Sequence, residues 1–429
     1  MNLLYKLKKG SLIKDTFIYT ITDTIGRAIG FLLLPFVSFY MPPDELGIAT
    51  NFSVLTSIII LLSGEALVNS IPYFYYEQTK KENSVLVTNL LLLCILVSLF
   101  LLLLVCGCQR LLLNYVKIDF DFQLLAILYV VFQLFNNTNL ILLRLENRPK
   151  QFAFLQIVQI LLHLIFVILF IIVYRWEGRG KILSEVLPAI LLFFINFYLL
   201  LKKGYLIPII DKKCIIKLIK FGLPLLPHSL SFWFKGGMDK VFITTYCGLY
   251  QNGLYSMALT ITSIYTIVKN AFFKAYVPYL QKKLSNINAE NELEEKRKIV
   301  ILTYSLCAVF FVVAVITVFM GWIILNYIVD EKYIDSFKFL PWLILGLYIY
   351  AIYSFSIEFI YKMKKTLIMG IITFTGSIIQ MLLSFFLIKN IGIMGAIYSS
   401  IIGTAIISIS IFIYSNKVYP MPWFHLKHN

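Results

Sequence analysis

Long apolar runs recur along the whole chain and are separated by short polar connections. A helix needs about 20 consecutive apolar residues to cross roughly 30 Å of hydrocarbon. The pattern predicts about twelve membrane spans, at about 15–40, 45–76, 84–107, 121–145, 152–174, 182–201, 215–246, 252–280, 298–328, 336–361, 366–388 and 392–415. A transmembrane barrel would instead show short segments of alternating polarity. We therefore predict an all-α polytopic membrane protein.

The composition supports this class. Of the 429 residues, 60% are hydrophobic and 14% are charged, and the mean hydropathy is +0.84. A soluble protein has about 25% charged residues, and a globular core could not hide so much apolar surface. The six cysteines show no paired CxxC spacing, so neither a disulfide framework nor a metal site is predicted.

The positive charges alternate along the connections. The two termini and the even-numbered connections hold 25 of the 38 Lys and Arg residues, whereas the odd-numbered connections hold seven. Because cytoplasmic loops are enriched in Lys and Arg, both termini are predicted to be cytoplasmic. The net charge of +16 is thus explained by topology, and no nucleic-acid partner is predicted.

Two stretches half a chain apart resemble each other. Gly47 and Pro72-Tyr73 in the second span match Gly253 and Pro278-Tyr279 in the eighth, both at an offset of 206 residues. Each half would hold six spans and enter the membrane from the same side. We therefore predict two parallel six-helix bundles, residues 1–204 and 205–429, with substrate bound between repeats near the midplane.

Several ionisable residues lie inside predicted spans, where charge is unfavourable unless it faces protein or water. The positive ones are Arg27, Lys235, Lys240, Lys269 and Lys274. The negative ones are Asp23, Glu65, Asp239 and Glu358. Asp23 with Arg27, and Lys235 with Asp239, are four residues apart and share a helix face. These pairs are either self-paired ions that lock helix packing or one wall of a cavity whose surplus cations attract an anion.

The other ionisable residues leave two interpretations open. Lys274 and Glu358 either face the interior or reach the inner interface, and Glu65 has no local partner. Unpaired carboxylates in membranes often bind a coupling cation or proton, so the four acids are candidates for ion coupling. Amides in spans four and five, such as Asn136 and Asn139, are expected to form hydrogen bonds between helices.

One long stretch and a shorter counterpart in the first half resemble a known family. The stretch "KFGLPLLPHSLSFWFKGGMDKVFITTYCGLYQNGLYSMALTI" and the counterpart "FLLLPFVSFYMPPDELGIATNF" resemble the polysaccharide-exporter branch of the MOP superfamily, the Wzx-type O-antigen and capsule flippases. The matching positions are Phe221, Gly222, Pro224, Asp239, Lys240, Gly248, Gly253 and Tyr255, with Pro35, Glu45 and Gly47 in the first half. The only mid-span charge of the second helix, Glu65, is an acid where the family carries a cation.

The resemblance implies two six-helix bundles in a V around a cationic central cavity. It implies alternating-access transport of an undecaprenyl-pyrophosphate-linked oligosaccharide across a bacterial cytoplasmic membrane. The five intramembrane cations would bind the pyrophosphate. Membrane lipids, a coupling cation (H⁺ or Na⁺) and polysaccharide-assembly proteins would be further partners.

Two other functions compete with a flippase. An ion-coupled exporter of small molecules shares the fold. A membrane enzyme acting on the same lipid would need a large outer loop with catalytic residues, and the outer loops are short. We therefore predict no catalytic residue and no cofactor.

Overall fold

The structure, a computed structural model, describes residues 18–424 except 20, 23, 27–28, 288–291 and the side chain of His228. Within this part, the chain forms helices joined by turns and no strand. Asp23 and Arg27, two of the predicted site residues, lie outside the described residues. The all-α class predicted from the sequence is confirmed.

The helices differ widely in length, and α11 is the longest of those in the described ranges, with 37 residues. In chain order, the first seven are α1 Leu34–Tyr40, α2 Pro43–Tyr75, α3 Lys80–Gly107, α4 Gln109–Val116, α5 Phe120–Leu145, α6 Pro149–Val173 and α7 Glu177–Lys202. The remaining ones are α8 Lys212–Gly222, α9 Leu226–Gly236, α10 Met238–Cys247, α11 Leu249–Ser285, α12 Glu292–Tyr327, α13 Leu340–Lys362, α14 Thr366–Ile391 and α15 Ile393–Val418.

Nine helices in the described part are long and apolar enough to cross a membrane. A tenth span is broken, because Lys212–Leu225 and Ser229–Cys247 meet at a bend of 43°. The sequence predicts about twelve spans. The first of them lies partly outside the described ranges, and the eighth falls within α11, which is less apolar than the nine. The chain is therefore a multi-pass membrane protein.

The chain divides into two compact units. Unit 1 comprises Met1–Trp233 and Gly248–Gly253, and unit 2 comprises Phe234–Cys247 and Leu254–Asn429. In unit 1, α7 packs against α2, α5 and α6, and in unit 2, α15 packs against α13 and α14. The predicted boundary between residues 204 and 205 stays a prediction.

A π-turn over Leu61–Glu65 interrupts α2. Gly64 in this turn has a φ of 124°, a conformation that glycine adopts without steric cost. A Cβ on Gly64 would also meet the Cys94 sulfur at 2.7 Å. The turn therefore depends on glycine, and it sets the direction of the next side chain, Glu65.

The glycines of the predicted repeat make reciprocal close contacts within unit 1. A Cβ on Gly47 would overlap the backbone carbonyl of Leu249, and a Cβ on Gly253 would overlap that of Pro43. Asn252 donates a hydrogen bond of 2.8 Å to the side chain of Asn51 beside this contact. The two contacts are exchanged by the same offset of 206 residues that relates the sequence repeats. Glycine at both positions lets the two helix starts touch backbone to backbone.

Candidate functional site

Two of the predicted cations of unit 2 meet at one aromatic ring. The Lys269 Nζ on α11 lies 3.9 Å from the ring centroid of Tyr350 on α13. The Lys235 Nζ, near the end of α9, lies 5.9 Å from the same centroid. Both distances fall within the range of a cation–π interaction, about 6 Å. Lys235 is half-buried, and Lys269 is 8% exposed.

Within the described part of unit 2, Asp239 is the carboxylate that acts electrostatically on Lys235 and Lys240. Among the residues of this unit that the structure describes, Lys235, Lys240 and Lys269 form no ion pair. The interpretation of Lys235 and Asp239 as a self-paired ion stays a prediction, because the two groups act on each other electrostatically but form no direct ion pair.

The hydrogen bond to Asp239 comes from a serine hydroxyl on another helix, and that serine contacts a second serine on a third helix. Asp239 is 2% exposed, and its carboxylate accepts a hydrogen bond of 2.5 Å from the hydroxyl of Ser384 on α14. The Ser384 oxygen is 2.6 Å from that of Ser399 on α15. Ser399 in turn donates to the carbonyl of Ala396 at 2.9 Å. The result is a buried polar chain across α10, α14 and α15.

The other predicted binding cations are placed differently. Lys240 is half-buried beside Asp239, and Lys274 is exposed on α11. In the described part of unit 2, neither ammonium is within cation–π distance of Tyr350. The structure thus brings two of the five predicted cations together.

The remaining predicted acids differ in their surroundings. Glu358 is 7% exposed and accepts a hydrogen bond of 3.2 Å from the amide of Gln281 on α11. It is therefore an interior residue. Glu65 is half-buried, and its carboxylate has no hydrogen bond or ion pair within the described part of unit 1. No group of three or more metal-ligating side chains occurs in the described ranges.

Unit 1 contains a polar cavity of about 380 Å³ between α5 and α6. Its polar lining residues are Gln133, Asn137, Arg144, Gln156, Gln159 and His163. The Arg144 guanidinium lies over the ring of Phe152, 4.5 Å from its centroid. The count of Lys and Arg residues in the connections included Arg144, although this residue lies one position before the end of α5. Arg144 lies at the very end of the predicted span 121–145, and this position was the signal that could have identified it as a site residue.

A second polar cluster joins α5 to α7. Asn139 donates to Asn196 at 2.6 Å, and Asn196 donates to Asn136 at 2.8 Å. Asn136 donates to the Ala189 carbonyl at 3.0 Å. The prediction that Asn136 and Asn139 bond between helices is confirmed, whereas their neighbour Asn137 faces the cavity.

Some residues of these sites were missed from the sequence. Tyr350, Ser384 and Ser399 are common residue types in membrane helices, and the sequence gives no signal that singles them out. Glu185 on α7 was also missed, although it lies inside a predicted span. It pairs with Lys181 at 2.9 Å, and the i,i+4 spacing was the signal that could have found the pair.

Comparison with known proteins shows the family of this chain. Residues 12–284 match the family described as polysaccharide biosynthesis protein. This chain belongs to that family. The family member is 25% identical over 284 residues to protein 1 of the Lsg locus of Haemophilus influenzae, a match that covers 63% of this chain and 66% of that one. A second membrane protein of that organism is 23% identical over 64% of this chain and 66% of its own. The chain thus matches 66% of the length of these relatives.

Solved structures share the fold of this family member. The lipid II flippase MurJ in an inward closed conformation superposes with a TM-score of 0.71 and 15% identity, over 94% of this chain and 87% of that chain. An inward-facing multidrug resistance MATE transporter of the MOP superfamily superposes with a TM-score of 0.68 and 14% identity, over 94% and 97%. The fold of this polysaccharide biosynthesis protein is therefore that of the MATE and MurJ transporters.

Proposed function

We propose that this chain moves an undecaprenyl-pyrophosphate-linked oligosaccharide repeat unit from the inner to the outer leaflet of the bacterial cytoplasmic membrane. One observation carries the proposal: the ammonium groups of Lys235 and Lys269 approach the same ring of Tyr350, and neither forms an ion pair in the described part of unit 2. Membership of the polysaccharide biosynthesis family supports an oligosaccharide as the transported group. Both termini are cytoplasmic in this proposal, and transport follows alternating access.

The chemistry of the two lysines favours a diphosphate. Lys presents a mobile point charge to phosphate oxygens, and a charged hydrogen bond is about twice as strong as a neutral one. An ammonium inside the membrane is unfavourable without a partner, so an arriving anion supplies what the apo protein lacks. Tyr350 stabilises the two cations until the anion arrives. Arg27, Lys240 and Lys274 remain further candidates for contact with the pyrophosphate.

Asp239 is our first candidate for coupling to protons. Three short oxygen–oxygen contacts run through Ser384 and Ser399, and each needs its own proton to be a hydrogen bond. The two hydroxyl groups supply only two protons. A proton on the carboxyl of Asp239 would complete the chain. Glu65, Glu358 and Asp23 stay alternative coupling sites, with H⁺ or Na⁺ as the ion.

Reconstitution of the full-length protein in liposomes tests the proposal. The substrate is a fluorescent lipid-linked oligosaccharide, and its arrival in the opposite leaflet is followed by chemical quenching. We expect Lys235→Ala and Lys269→Ala each to slow translocation by at least about tenfold, the loss of one charged hydrogen bond. Lys338→Ala is the matched control, because Lys338 pairs with Asp335 at 2.8 Å on the surface of the same unit. Wild-type rates in both lysine variants would contradict the proposal.

The second candidate is an ion-coupled exporter of small molecules. The buried carboxylate of Asp239 is the observation that favours it, because such a group can bind a proton or cation without any lipid-linked substrate. The same liposomes, loaded with a small cationic dye and given a pH gradient, distinguish the two functions. Gradient-driven dye transport without lipid translocation would replace the first candidate by the second.

A further inference from the structure

The polar cavity of unit 1 is chemically unlike the lysine pair of unit 2. Four of its lining groups are side-chain amides, one is the imidazole of His163 and one is the guanidinium of Arg144. No carboxylate lies among its described lining residues. Ile29, Leu140 and Ile160 supply apolar surface beside these groups. Its volume of about 380 Å³ falls within the range of small-molecule sites, roughly 300–1,000 Å³.

Two polar atoms of this cavity lack a partner. The Gln133 Oε1 and the His163 Nε2 are buried and form no hydrogen bond in the described part of the chain. Leaving a buried polar atom unsatisfied is unfavourable, and each such atom in a native protein calls for an explanation. One turn away on the same helix, Asn136 and Asn139 bond to Asn196. The unpaired Gln133 Oε1 therefore belongs to the cavity face of α5, and the His163 Nε2 lines the same cavity from α6.

The lining selects the class of ligand. A phosphate only accepts hydrogen bonds, so it cannot satisfy the carbonyl oxygen of Gln133. A cation is disfavoured by the fixed charge of Arg144. A sugar hydroxyl both donates and accepts, which matches amides and imidazole, and the C–H groups of a sugar ring can contact Ile29 and Leu140. We propose that this cavity binds a sugar ring of the transported oligosaccharide, an inference that rests on the function proposed above.

Cysteine protection tests the cavity directly, without a lipid carrier. Asn137→Cys is made in the full-length protein with its six native cysteines replaced, and its reaction with a small thiol reagent is timed. We expect at least one member of a panel of methyl hexosides and N-acetylhexosaminides to slow labelling several-fold, with no effect of inorganic pyrophosphate. Leu128→Cys, on the exposed side of α5, is the matched control. Protection by pyrophosphate would overturn the proposal in favour of an anion site. Protection by no glycoside in the panel would also overturn it and leave a cavity that holds water only.

Binding of two lipids distinguishes failure of the sugar site from failure of the proposed flippase function on which it rests. The probes are undecaprenyl pyrophosphate with and without its oligosaccharide, in vesicles. We expect Gln133→Leu and His163→Leu to weaken binding of the sugar-bearing lipid about tenfold and to leave the bare lipid unaffected, whereas Lys269→Ala weakens both. If neither lipid binds the wild-type protein, the flippase proposal fails, while glycoside protection still decides the cavity. Equal weakening of both lipids by the cavity variants would contradict the sugar site.

Discussion

Replacement of Lys269 by Met should stabilise the protein and impair its function. A charge inside the bilayer costs about 3 kcal/mol on insertion scales. The Lys269 Nζ lies 3.9 Å from the Tyr350 centroid, and a desolvated cation–π interaction at this distance stabilises the ammonium by about 2 kcal/mol. Lys269 forms no ion pair in the described part of unit 2 that would stabilise it further, so burial of its ammonium remains unfavourable by about 1 kcal/mol. Met keeps the length of the stem and contacts aromatic rings well, so Lys269→Met should raise the free energy of unfolding by about 1 kcal/mol.

The assay is equilibrium unfolding in mixed micelles, followed by circular dichroism, beside binding of undecaprenyl pyrophosphate by the same preparations. Lys274→Met is the control on the same helix, because Lys274 is exposed and its replacement should change stability by less than about 0.5 kcal/mol. Binding should fall in the Lys269 variant. A loss of more than about 1 kcal/mol of stability in Lys269→Met would mean that the ammonium has a structural partner. Unchanged binding would refute its assignment to the substrate.

Three further predictions follow from the packing. Gly253→Ala should destabilise the protein by about 1–3 kcal/mol in micelle unfolding because its methyl group overlaps a backbone carbonyl, whereas Gly370→Ala, with open space at its Cβ, should not destabilise it. Ser384→Ala should lower the free energy of unfolding by about 1.5–3 kcal/mol, because it removes a hydrogen bond to a buried carboxylate. Ser408→Ala is its control and should cost less than about 1 kcal/mol, because the Ser408 hydroxyl bonds its own helix. Equal losses of stability would contradict the polar chain. Asn196→Leu should lower the unfolding temperature, since it leaves two buried asparagines with fewer partners, and an unchanged temperature would exclude that network as a source of stability.

The repeat illustrates how far a linear pattern reaches. The offset of 206 residues between Gly47 and Gly253 was legible in the sequence, because glycines and prolines at equal spacing are a one-dimensional signal. The contacts themselves needed coordinates: Gly47 meets the backbone of Leu249, four residues before Gly253, and Gly253 meets the backbone of Pro43, four residues before Gly47. Close approach of two helices depends on which faces they turn to each other, and no spacing rule specifies that.

The sequence by itself determined the class, most of the spans and the surplus of intramembrane cations. These are local properties, since hydrophobic length and residue charge depend on neighbours along the chain. The tertiary structure decided that Lys235 and Lys269 share Tyr350, that Asp239 bonds to Ser384, and that the amides of α5 and α6 enclose a cavity. The physical reason is the rotation of each helix about its axis, which is set by packing between helices.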